Sequence, residues 1–154
     1  MTDLTADLDI RVLGQAYTER FPCHVNAVHT FYRGQAVVID QNVTTLGRVI
    51  PFIDATHLVA ADVFVGIAAE TVDVAASQSP IPEVECYVEP TIVGYPDNAT
   101  FTDADLGATV YADTSGLLTA EGTDNPPLGI IHIFHDGYMY VRLISPTITA
   151  QADA

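Results

Sequence analysis

From Phe21 onward the chain is a succession of short apolar runs rich in β-branched residues, each closed by turn-forming residues. This pattern limits the available folds more than any other feature. Valine (17), threonine (17) and isoleucine (12) fill 46 of 154 positions, and side chains branched at Cβ fit a pleated surface better than a helix. The runs Ala36 to Ile39, Arg48 to Ile50, Val63 to Ala68, Glu85 to Val93, Thr109 to Ala112, Leu117 to Ala120 and Ile130 to Ile144 read as strands. Turn signals recur every ten residues or so, the interval of an antiparallel barrel or sandwich. The expected fold is mainly β: a small antiparallel β-barrel or sandwich with an extended N-terminal arm and at most short helices.

Met1 to Arg20 is acidic and holds one amphipathic turn around Leu4, Leu8 and Val12, so residues 1–20 are expected to form an arm or short helix. Residues 21–154 are expected to form a single β domain. Ser77, Ser79, Pro80 and Pro82 mark a connector near 75–82 that could join two strand-turn-strand halves. A faint repeat supports two halves: Gly34 to Asp40 and Gly107 to Asp113 share Gly-x-x-Val-x-x-Asp. Each is followed by a glycine entering an apolar strand, at Val65-Gly66-Ile67 and Leu128-Gly129-Ile130.

The clearest local element lies between Ile130 and Ile144, where Asp136-Gly137 separates two apolar runs and signals a two-residue hairpin turn. Alternation assigns Ile130, His132, Phe134, Met139, Val141 and Leu143 to one face, which is core. The other face receives Ile131, Ile133, His135, Tyr138, Tyr140 and Arg142. Two isoleucines and two tyrosines beside an arginine are too apolar for a solvated surface. Ile131, Ile133, Tyr138, Tyr140 and Arg142 are therefore candidate interface residues, or else part of a second covered core face.

Charge narrows the partners. Twenty acidic residues against five basic ones leave −15, and the bases are all arginine: Arg11, Arg20, Arg33, Arg48 and Arg142. So negative a surface repels phosphate, so neither nucleic acid nor an anionic membrane is expected as partner. The acidity suits a salty habitat or a surface tuned for solubility. No stretch approaches the roughly 20 apolar residues of a membrane-spanning helix, and Met1 to Ile10 lacks the pattern of a signal peptide. The chain is expected to be made and kept in a cytoplasm.

The chemistry-bearing residues form no recognisable catalytic or metal-binding group. His132 and His135 stand three apart on one strand and so point to opposite faces. Cys23, His24 and His29 lack a fourth ligand at recognisable spacing. Cys23 and Cys86 are too few for a disulfide framework and read as small buried apolar residues. The acidic stretch Asp97 to Gly107 lacks the glutamate of a calcium loop and reads as a Thr102-capped turn with acids at a helix start. No serine lies in a Gly-x-Ser-x-Gly elbow, and without lysine no Gly-x-x-x-x-Gly-Lys phosphate loop is possible. Neither enzyme activity, metal nor cofactor is expected.

Thr102 to Tyr111, then Gly116-Leu117-Leu118-Thr119, then Pro127-Leu128-Gly129-Ile130-Ile131, and the hairpin ending Val141-Arg142-Leu143 together resemble the small head decoration or cement proteins of tailed viruses. The likeness covers roughly the second half of the chain and rests on structural glycines and strand patterns. The chain departs from that family in lacking lysine, in its acidity and in its long N-terminal segment. The resemblance implies a structural virion protein that binds the outer surface of the assembled capsid and stabilises it by bridging capsomers. It also implies the major capsid protein as partner, a homotrimer as the assembly, and the virion surface as the location. A small β-module binding glycan or receptor at a virion or cell surface is the alternative, for which Tyr17, Tyr32, Tyr87 and Tyr95 would matter.

Overall fold

The computed structural model describes residues 4, 6–25, 28–39, 48–52, 63–97, 100–113, 118–120, 122 and 125–144. Among these, strands account for 53% and helix for 3%, as the β-branched runs require. The strands are β1 (Arg11–Leu13), β2 (Thr18–Pro22), β3 (His29–Phe31), β4 (Ala36–Ile39), β5 (Val49–Pro51), β6 (Val63–Ala68), β7 (Val72–Val74), β8 (Glu83–Tyr87), β9 (Ile92–Pro96), β10 (Thr109–Ala112), β11 (Leu118–Thr119), β12 (Pro127–His135) and β13 (Tyr138–Leu143). They form three antiparallel sheets, with orders β1-β9-β13-β12-β10-β11, β2-β8-β6-β4-β5 and β3-β7. None closes on itself, so of the two expected architectures the sandwich is the one adopted.

The sheets stack as three layers around two cores. The first core lies between the six- and five-stranded sheets and contains Val38, Phe64 and Ile67 from one and Val93, Val110, Leu128, Ile131, Met139, Val141 and Leu143 from the other. The second lies between the five-stranded sheet and the β3-β7 ribbon, with Cys23, Val37, Val65, Val84 and Cys86 packed under Phe31 and Val74. Complete burial of each larger side chain contributes about 1.5–3 kcal/mol. Both cysteines are free and fully buried. Burial pushes the Cys23 thiol up to about 11 and raises the Cys86 thiol as well.

The Gly-x-x-Val-x-x-Asp repeat has a counterpart in the strand pairing. Val37 of β4 faces Gly66 of β6, and Val110 of β10 faces Gly129 of β12; in both pairs the register shifts immediately after the valine. Each glycine is required by close packing, because an added Cβ would lie 2.4 Å from the Tyr87 carbonyl oxygen at Gly66 and 2.2 Å from that of Arg142 at Gly129. The outer neighbours match too: β5 flanks β4 as β11 flanks β10, and β8 flanks β6 as β13 flanks β12. Asp40 lies outside the described residues.

Several elements differ from the sequence-based expectation. The N-terminal segment is extended rather than helical in its described part. Ile10 is buried in the first core, β1 pairs with β9 and β2 with β8, so the segment contributes an edge strand to each of two sheets. Thr91 pins the crossing between them, its buried hydroxyl accepting from the Tyr17 amide at 2.8 Å and donating to the Tyr17 carbonyl at 3.0 Å. The expected strand Glu85 to Val93 is broken at Val88 to Thr91 into β8 and β9, which belong to different sheets. Residues 75–82 lie between β7 and β8. Thr102 caps a short 3-10 turn over Asp103–Asp105, its hydroxyl accepting from the Ala104 amide while Asp105 accepts from the Thr102 amide.

Candidate functional site on the outer sheet face

The β12-β13 hairpin closes through Asp136 and Gly137, both with positive φ (51° and 79°), as the two-residue turn demands. Directly opposed residues share a face, so the register fixes which side chains point outward. One outward row runs Leu13, Ile92, Arg142, Ile130, Thr109. The next runs Arg11, Gly94, Tyr140, Ile133, and the third Pro96, Tyr138, His135.

Of the five candidate interface residues, Ile133, Tyr138, Tyr140 and Arg142 share this face and Ile131 does not. A bulge between Ile131 and Ile133 inserts one extra residue, which reverses the alternation along β12. Ile131 therefore turns into the first core, Ile130 moves outward, and His132 is exposed rather than core. Simple alternation could not reveal this, because nothing in Ile131-His132-Ile133 marks an insertion. Tyr138 and Tyr140 point outward but are only 9% and 6% exposed. Tyr140 lies flat over Gly94, where an added Cβ would stand 2.6 Å from its ring. Tyr138 is covered from β1: its hydroxyl donates to the Asp9 carboxylate, and the Arg11 guanidinium sits 3.9 Å from its ring centroid. The bond to Asp9 raises the Tyr138 hydroxyl above the usual tyrosine range.

The accessible part of the face mixes aliphatic side chains with the exposed polar residues Arg11, Thr109, His135 and Arg142. Ile133 is 44% and Leu13 41% exposed, with Ile92 and Ile130 half-buried between them. Arg142 stands exposed among these side chains, and its guanidinium has no ionic or hydrogen-bond partner among the described residues. By contrast Arg20 pairs with Glu83 at 3.3 Å and Glu70 at 3.8 Å, and Arg33 donates to the Ile10 carbonyl. Leu13, Ile92 and Arg11 were missed by sequence reasoning, since they reach the face only through pairing of β1 and β9 with β13. The alternation in Arg11-Val12-Leu13 is the one local signal that could have found them.

Elsewhere, among the described residues, no three His, Cys, Asp or Glu side chains gather as metal ligands would. Cys23 belongs to the second core, and His29 stacks edge-on against Phe31 at 5.4 Å. No known protein family, curated protein or solved structure matches this chain.

Proposed function

We propose that this chain is a non-catalytic structural protein of a tailed-virus particle, bound to the outer surface of the assembled capsid and stabilising it by bridging capsomers. The observation that carries the reading is the outer face of the six-stranded sheet, where exposed Leu13 and Ile133 and half-buried Ile92 and Ile130 lie near Arg142, an arginine without an ionic partner among the described residues of a chain of net charge −15. Apolar side chains left partly exposed together on a folded surface favour contact with other chains. Burial of apolar area contributes about 25 cal/mol per Å², and a modest contact repeated over a symmetric shell gains further by multivalency. The resemblance to decoration proteins supplies the rest: the major capsid protein as partner, a homotrimeric arrangement and the virion surface as location.

The test is mass spectrometry of virions purified from the source culture. The chain should be present in fixed stoichiometry to the major capsid protein, and Ile133→Asp, which places a charge in the contact, should lower its occupancy by at least about tenfold. Absence from particles, with free protein binding sugars on a glycan array, would overturn the reading in favour of a surface-binding module.

A further inference from the structure

We infer that the β3-β7 ribbon is an acid-released flap: protonation of His29 lifts it from the five-stranded sheet and opens the second core, with Cys23 and Cys86, while the two larger sheets stay folded. The inference stands apart from the capsid reading and uses none of the residues that carry it.

The ribbon is a sheet of its own, with three residues in each strand and no ladder to either larger sheet. So short a pair of strands is marginal by itself, and its place depends on what its inner face buries. Phe31 and Val74 belong to the second core, and His29 stands two residues from Phe31 and directly opposite Val74, so alternation sets it on the same inner face. Thr30 and Asp73 take the outer face, where they bond each other at 2.8 Å. The two ends of the ribbon are tied differently. Beyond Phe31, the Gly34 amide donates to the Ala68 carbonyl, Gln35 accepts from the Tyr32 amide and donates to the Phe52 carbonyl, and Asp7 accepts from the Thr71 hydroxyl and the Arg33 amide. That end is a hinge. At the other end the His29 ring donates to the His24 carbonyl, and the His24 amide is bonded at 2.9 Å to the Val49 carbonyl of the five-stranded sheet. The Ser77 amide donates to the Val25 carbonyl at the same end. His29 is thus the one titratable part of the catch.

The catch suits a neutral ring. With the Nδ1 proton committed to His24, Nε2 is an enclosed lone pair that has no hydrogen-bond partner among the described residues. A second proton would put a charged donor there with no acceptor to receive it. The titratable and charged groups on the surrounding elements do not offset this. His24, on the segment after β2, repels a charged His29. Arg48, just before β5, is a further cation. Asp73 on β7 is engaged by Thr30 on the opposite face, and burial keeps the Cys23 thiol protonated, with its pKa raised to about 11. In the lifted ribbon His29 meets water and titrates near its ordinary 6.5, whereas in the closed one it titrates lower. Opening therefore gains as pH falls below about 6.5 and levels off beneath the lower closed value.

Thiol labelling of the full chain with 4,4′-dithiodipyridine between pH 7.5 and 5 tests the flap, each rate being divided by that of free cysteine at the same pH. The relative reactivity of Cys23 and Cys86 should rise several-fold over this range in the wild type. It should stay flat in His29→Gln, whose amide can still donate to the His24 carbonyl but takes up no proton. His132→Gln, a change at an exposed histidine outside the ribbon, should behave as the wild type does. Hydrogen exchange of the wild type, read by mass spectrometry, should show protection lost on acidification at residues 29–31 and 72–74 and kept in β12 and β13; this arm decides the matter even if His29→Gln fails to fold. Relative thiol reactivity that does not change with pH, a rise undiminished in folded His29→Gln, or loss of protection in all three sheets together would overturn the inference.

Discussion

At the residue scale, burial decides what each titratable group can do. His29 is half-buried on β3, and the Nε2 atom is enclosed without a hydrogen-bond partner among the described residues. Desolvation holds its pKa below the usual 6.5, the charge of nearby His24 lowers it further, and the hydrogen bond with the His24 backbone acts in the opposite sense. A lowered folded pKa means that the unfolded chain takes up the proton first. This contribution is therefore fully present above about pH 6.5 and is lost as pH falls through the lower folded value. The unfolding free energy of wild type should fall more steeply between pH 7 and 5 than that of His29→Gln, by urea titration at each pH. Parallel curves would show that His29 does not carry the linkage. The cysteines were legible as buried apolar residues from their number and context, but their membership of the second core was not, because β2 and β8 join only through pairing distant in sequence.

At the element scale, the strands from Ala36 to Ile39, Val63 to Ala68 and Thr109 to Ala112 fall where β-branched runs place them. The hairpin turn at Asp136-Gly137 does too, since its two positive φ angles suit few other residue pairs. The short strands β1, β3 and β7 carry only three residues each, too few for alternation to stand out from neighbouring loops. The bulge in β12 is the sharpest failure, because one inserted residue moves Ile131 from surface to core. The two repeat glycines yield a paired prediction. Gly66→Ala and Gly129→Ala should each destabilise by about 1–3 kcal/mol or more, since the clash is with backbone and cannot be relieved by a side-chain rotation. Urea denaturation checks this; a loss at one site alone would mean that the halves do not share the same close approach.

At the scale of the whole molecule, charge and layering dominate. Twenty acids and five bases mean that compaction brings like charges together, so screening should stabilise the fold. Raising sodium chloride from 20 mM to 0.5 M is expected to add about 1 kcal/mol, or roughly 2–4 °C in Tm for a chain of this size, by differential scanning calorimetry. A falling Tm would assign more weight to ion pairs such as that of Arg20 with Glu83. The sequence by itself determined the fold class, the main strands, the hairpin turn, the capped turn at Thr102 and the sign of the surface charge. Each of these follows from local residue chemistry, that is, from branching at Cβ, from φ preference or from net charge. Only the tertiary structure decided that the N-terminal segment enters two sheets, that β8 and β9 part company, that a bulge swaps Ile130 and Ile131, and that Arg11, Leu13 and Ile92 complete the outer face. Those outcomes depend on register between strands far apart in the chain, where a shift of one residue reverses every side chain and short-range pattern carries no record of the choice.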